Sequence, residues 1–173
     1  MTNSNSALRG WVWGPFSRLG LYVLIATFVL DQAVKWWLLA GYRLADRGRV
    51  AVTSFFDLVL VMNPGISYSL FEQESFMGQV LLAAFGVVAA MALWVWLARG
   101  ATSRLMAVSI GLIIGGALGN ALDRVLFGGV ADFFSLHAYG FYWYVFNIAD
   151  VAIVAGVIGL LYDSLGASRN DAA

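Results

Sequence analysis

The sequence predicts an all-α integral membrane protein of four spanning helices, with a short β segment between the first two. Two observations carry that reading. Of 173 residues, 61% are apolar and only 12% are charged, about half the charge of an ordinary soluble domain. A soluble chain this short buries only ~70% of its unfolded surface and could not hide so much apolar area. The apolar residues also gather into four stretches near the ~20 residues that a bilayer core requires, at about 19–42, 77–98, 105–122 and 146–165. They form one membrane domain over 1–173, with the β segment at about 43–71.

The first stretch is interrupted by Asp31 and Lys35. Its opening part, preceded by Arg9 and Arg18, has the look of a signal-peptide core. No small-x-small cleavage site follows, and the apolar run resumes at Trp36, so it counts as a span. Residues 50–62, VAVTSFFDLVLVM, are rich in β-branched and aromatic side chains and too short to cross a bilayer. They read as a strand or small hairpin, closed by Asn63-Pro64-Gly65, where proline ends a ladder and glycine permits a turn. The second stretch has no charge. The third carries Gly115, Gly116 and Gly119, which let a neighbouring helix or a ligand approach closely, and ends in Asn120 and Asp123. Six of the eight residues 139–146 are aromatic, a composition suited to a belt at headgroup level. The fourth stretch has Asp150 near its start. The first ~17 and last ~7 residues read as loose polar tails.

Four spans put both termini on one side. With the termini inside, Arg9, Arg18, Arg99, Arg104 and Arg169 lie inside, against Arg43, Arg47 and Arg49 in the outer loops. Positive charge favours the cytoplasmic side, so the termini are expected in the cytoplasm. Among the acids, only Asp163 and Asp171 would share that side.

Composition excludes several chemistries. There is no cysteine, hence no thiolate nucleophile or cysteine metal site. A zinc centre built on two or three histidines is excluded by a single histidine, His137, which reads instead as an interfacial polar residue. No glycine-rich nucleotide motif is present and no cofactor is expected. Ten basic and ten acidic residues balance, with no basic stripe for nucleic acid.

An ionisable group at membrane depth costs about 2.5–3.5 kcal/mol on insertion scales and is a functional candidate by default. Asp31 and Lys35 are four apart, on one helix face, and read as a pair that staples the first span. The spacing Asn-x-x-Asp occurs twice, as Asn120/Asp123 and Asn147/Asp150. Topology brings the end of span three, the start of span four, the Asp31/Lys35 pair and the Asn63-Pro64-Gly65 turn to one leaflet, opposite the termini. Asp123 and Asp150 facing each other there would share a proton. The ionised member could activate water while the other protonates a leaving amine, the chemistry of an aspartic peptidase. The residues leave bland readings open: Asp150 as an acid placed for a helix dipole, and Asp123 as a partner of adjacent Arg124. The same acids would also suit a proton- or cation-coupled transporter, and glycine-mediated packing alone would suit a scaffold.

At this point the chain resembles a known family, the lipoprotein signal peptidases (bacterial signal peptidase II), over nearly its whole length. The matching segments are Asp31-Gln32-Ala33-Val34-Lys35, then Asn63-Pro64-Gly65 with Ser69-Leu70-Phe71, then Gly115-Gly116-Ala117-Leu118-Gly119-Asn120-Ala121-Leu122-Asp123-Arg124. Gly129-Val130-Ala131-Asp132-Phe133 and Phe146-Asn147-Ile148-Ala149-Asp150 complete the order. The resemblance implies an aspartic endopeptidase of the bacterial inner membrane, with a small periplasmic β-cradle and the active site on the periplasmic side. It would cleave diacylglyceryl-modified prolipoproteins just before the lipidated cysteine. It would work without a metal, as a monomer among membrane lipids, and be sensitive to globomycin. By motif, Asp123 and Asp150 are the catalytic pair. Asp31, Lys35, Asn63, Gly65, Gly116, Asn120, Arg124, Asn147 and Ala149 are supporting or substrate-contacting positions. The chain departs from the family's pattern at Ile66, Ser67, Tyr68 and Val151, and its stretch from Asp132 to Asn147 is longer and more aromatic than usual.

Overall fold

The computed structural model describes residues 11–65 and 75–170. The Ser69-Leu70-Phe71 motif, the end of the expected β segment (66–71) and the outermost parts of the expected polar tails lie outside the described residues. Four helices are long and apolar enough to cross a membrane: Ser17–Gly41, Phe76–Gly100, Arg104–Phe127 and Ile148–Leu165. The first of these is an α-helix, α1 (Ser17–Trp36), continued by one wide π turn over Trp37–Gly41. A single turn, α2 (Leu44–Arg47), leads into β1 (Val50–Ala51) and β2 (Phe56–Asn63). Helices α3 (Phe76–Gly100) and α4 (Arg104–Phe127) follow, then β3 (Val130–Ala138), β4 (Phe141–Tyr142) and α5 (Ile148–Asn170).

Local chemistry sets the ends. Ser75 Oγ accepts the Gly78 N–H at 3.1 Å, and Ser103 Oγ accepts that of Met106 at 2.9 Å, so each caps a helix N-terminus. Gly128 closes α4 with φ of 72°, a left-handed C-terminal geometry open to glycine. The third helix runs five residues past the end expected from sequence, so Asp123 and Arg124 lie inside it.

Helix α4 is the centre of the bundle. In its apolar window 61% of residues are buried, against 28% in the first helix and 17% in α3 and α5, and all three of those pack on it. Its residues Ala107, Ile110 and Ile114 form a core with Leu97 of α3. At the other end a second core of Leu38, Leu44, Ala131 and Phe133 ties the π turn and α2 to β3.

All four strands pair antiparallel in the order β1-β2-β3-β4. The stretch 50–62 is therefore a hairpin, with a bulge in β2 between Leu58 and Val61. Half of the sheet comes from a segment the sequence reading did not assign to strands. Residues 139–146 do not form a simple belt. Phe141 and Tyr142 make β4, and Phe146 bridges back to Phe134 of β3. The aromatic composition hid this, because rings suit a membrane interface and a strand equally. His137 lies on β3, stacked on Tyr142 with ring centroids 4.9 Å apart, and its Nε2 is 3.2 Å from Asp57 Oδ1. Arg49 Nη1 sits 2.8 Å from Asp57 Oδ2 and holds the Asp57 carboxyl below its usual range.

Candidate active site

The buried polar groups meet at one end of the bundle, where α1 and α4 finish, α5 begins and the sheet is attached. Lys35, on α1, is only 1% exposed. Its Nζ lies 2.9 Å from Asp31 Oδ2 and 2.7 Å from Asp123 Oδ2, and it donates to Asn120 Oδ1 at 3.0 Å. The expected Asp31/Lys35 pair is therefore one part of a larger cluster. Asp123 has two further donors: Gln32 Nε2 donates to Oδ1 at 3.1 Å, and the Ala131 N–H donates to Oδ2 at 3.2 Å.

Asp31 reaches further. Its Oδ1 accepts the Ala149 N–H at 2.9 Å, so a side chain of α1 caps the N-terminus of α5. That approach needs the glycines of α4. A Cβ on Gly119 would stand 2.5 Å from Asp31 Oδ2, and one on Gly116 would stand 2.6 Å from the Ala149 carbonyl oxygen.

Asn147 and Asp150 form a reciprocal cap at the start of α5. The Asp150 N–H donates to Asn147 Oδ1 at 3.0 Å, and the Asn147 N–H donates to Asp150 Oδ2 at 3.2 Å, which is the capping-box arrangement. Asn120 Nδ2 donates to the other carboxylate oxygen, Asp150 Oδ1, at 3.0 Å. The second oxygen of the Asp150 environment is thus fixed without any ion pair.

The remaining carboxylate in this cluster is Asp132, on β3. Asn147 Nδ2 donates to its Oδ1 at 2.7 Å and Asn63 Nδ2 to its Oδ2 at 3.2 Å. Asn63 also donates to the Tyr144 hydroxyl. Burial pushes the Asp132 carboxyl up to about 7, and the charge of Asp150 adds to that rise. Sequence reasoning quoted Asp132 within a motif and gave it no role. Its signal was an acid just past the Gly128-Gly129 turn, among the apolar residues Val130, Ala131, Phe133 and Phe134 that open a strand.

A cavity of about 310 Å³ opens beside these groups. Its polar end is lined by Asn63, Gly65, Asn120, Arg124, Tyr144 and Asp150, and its apolar walls come from α3, α4 and α5. Arg124 donates to the Gly65 carbonyl at 2.8 Å and to the Asn120 carbonyl at 3.1 Å, holding the Asn63-Pro64-Gly65 turn over the cavity. Neither Asp123 nor Asp132, both buried, lines it. The structure thus joins Asp150 to Asp132 through Asn147. Asp123 is linked to Asp150 by way of Lys35 and Asn120 and also through Ala131 and Asn147. Among the described residues no group of three or more His, Asp or Glu side chains is disposed to hold a metal ion.

A bundle of four apolar helices with buried acids and amides clustered at one end, beside a cavity, defines a multi-pass membrane protein. The model of the family described as "Signal peptidase (SPase) II" matches residues 23–166, and the chain belongs to that family of peptidases. A lipoprotein signal peptidase of Rhodopseudomonas palustris (strain TIE-1) is 54% identical over 152 residues, covering 86% of this chain and 92% of its own. One from Methylorubrum extorquens (strain PA1) is 53% identical over 148 residues, covering 86% of each chain. A bacterial membrane enzyme solved by the in meso method at 2.3 Å resolution superposes with a TM-score of 0.72 at 25% identity, over 87% of this chain and 90% of that one.

Proposed function

We propose that the protein is an aspartic endopeptidase of the bacterial inner membrane. It removes signal peptides from lipoproteins, cutting diacylglyceryl-modified precursors just before the lipidated cysteine. The relatives are peptidases, which leaves the transporter reading without support. The observation that carries the catalytic assignment is the pairing of Asp150, on the cavity wall, with Asp132, through the shared Asn147. Neither acid is in an ion pair among the described residues. Asp123, expected from sequence to partner Asp150, is ion-paired with Lys35, and in this reading it serves as a positioning residue.

In this reading Asp132, raised toward neutrality, holds the proton, and ionised Asp150 takes one from water. The water oxygen bonds to the scissile carbonyl carbon. Asp132 then gives its proton to the departing amide nitrogen as the C–N bond breaks. The products are the signal peptide's new carboxylate and a free amino group on the lipidated cysteine. Arg124 places positive charge beside the reacting carbonyl, where charge develops. The site end faces the periplasm and the termini the cytoplasm. The substrate, held in the bilayer by its acyl chains, arrives by lateral diffusion, and the enzyme acts as a globomycin-sensitive monomer.

The test is release of signal peptide from a diacylglyceryl prolipoprotein by the purified protein in detergent. Asp132→Asn and Asp150→Asn should each slow it by about 10²–10⁴-fold, the scale of general acid–base catalysis. Undiminished cleavage by either variant would remove that residue from the pair.

A further inference from the structure

The cavity walls below the polar cap contain a glycine that helix packing does not explain. Several other glycines in the bundle are required by close approach of a neighbouring helix. A Cβ would stand 2.7 Å from backbone at Gly111 and Gly115 and 2.5 Å from backbone at Gly156. Gly86 differs. A Cβ there would meet the Ala117 carbonyl oxygen at 3.6 Å and Ala121 Cβ at 3.7 Å, ordinary contact distances. Gly86 lies inside α3, where glycine is disfavoured relative to alanine. It lines the cavity, on the same helix face as Phe85 and Ala89.

Opposite stand Ala117 of α4 and Ile153 and Val154 of α5. The lateral rim is open: Phe85 is 70% exposed and Val154 57%, on helices that face hydrocarbon. Helices α3 and α5 both pack on α4 and make no substantial contact with each other, so the gap between them is a slot running from membrane depth to Asp150. Every wall at this level is helical, so its backbone N–H and C=O groups are already paired. An extended peptide needs such partners in a dry environment, whereas an acyl chain needs none. At about 310 Å³ the cavity is also at the lower end of the range for ligand pockets.

We infer that the slot floored by Gly86 receives an acyl chain of the lipidated substrate, and that Gly86 and Ala89 set the chain length accepted. This rests on the peptidase reading above and adds a lipid-specificity subsite to it. The absent side chain at Gly86 leaves the chain a path within one helical turn of the Asn120 level.

The experiment compares kcat/KM for two prolipoproteins of identical sequence, one carrying a dipalmitoylglyceryl group and the other a dibutyrylglyceryl group. Wild type, Gly86→Phe and Ala89→Leu are assayed. Each variant should lose about 10–100-fold on the long-chain substrate, the scale on which an apolar pocket discriminates size, and keep its rate on the short-chain one. Cleavage of the short-chain substrate also reports that the variant is folded. Equal loss on both substrates, or no loss on either, in both variants would overturn the slot and leave the peptidase reading standing. Failure of wild type to cleave either substrate would overturn both.

Discussion

Lys35 Nζ lies 2.7 Å from the Asp123 carboxylate, and neither side chain reaches the surface. A buried ion pair is weak support for stability by itself, but removing one partner strands the other at a cost of about 3–5 kcal/mol. Here the stranded groups would be two, Asp31 and Asp123. Lys35→Met should therefore yield little folded protein, read as a lost or strongly lowered thermal transition in detergent. Asp123→Asn should lower that transition too, while the folded fraction still cleaves. A complete loss of cleavage by well-folded Asp123→Asn would return Asp123 to the chemistry.

The raised Asp132 carboxyl makes a pH prediction with a definite sign. An ordinary aspartate titrates near ~3.9, and Asp132 titrates at about 7. Between those values the folded protein keeps a proton that the unfolded chain releases. Stability contributed by this group therefore falls as pH rises through that window. Asp132→Asn, which stays neutral, should gain on wild type across the same range in thermal unfolding. The cleavage rate should decline on the alkaline side with an apparent pKa near 7 that belongs to the pair with Asp150. A rate constant over about pH 6–9 would exclude a shared proton.

Gly119 tests the packing that brings α1, α4 and α5 together. A methyl group there would press on Asp31 Oδ2 at 2.5 Å, and Asp31 cannot retreat without losing the Ala149 N–H and Lys35. Gly119→Ala should destabilise by about 1–3 kcal/mol, as overpacked sites do, and should lower activity by tilting the Asp150 end of α5. Unchanged melting and activity together would show that the contact relaxes freely.

The sheet carries its own acid-sensitive pair. Arg49 holds Asp57 below the usual carboxylate range. A depressed carboxyl adds stability above its unfolded pKa and loses it as pH falls through the folded value. Arg49→Met should thus make the sheet less stable at neutral pH and flatten its dependence on acid. Hydrogen exchange of the β2 and β3 amides would measure it.

Most of the architecture was legible in the chain. Four apolar stretches gave four helices, since a bilayer-length run of apolar residues has few other uses. The hairpin at 50–62 was legible from β-branched residues and the Asn63-Pro64-Gly65 turn. The strands at 130–142 were not. Their partner, β2, lies far away in sequence, and their rings fit an interfacial belt as well as a ladder. The cluster was legible as a set of residues, because Asp31, Lys35, Asn120, Asn147 and Asp150 all meet at one end. The link from Asp150 to Asp132 through Asn147 was not.

What the sequence alone determined is that a charge-poor chain of this length must live in a membrane, with its few acids gathered at one end. The repeated Asn-x-x-Asp spacing could not say which acid pairs with which. Tertiary structure decided that. Asn147 and Asp150 cap a helix start, while Asn120 and Asp123 lie inside α4, facing Lys35. The reason is geometric: Asp123 meets the buried ammonium of Lys35, whereas Asp150 and Asp132 meet the two ends of Asn147. Which neighbour each carboxylate meets is settled only when helix α4, helix α5 and strand β3 close on one another.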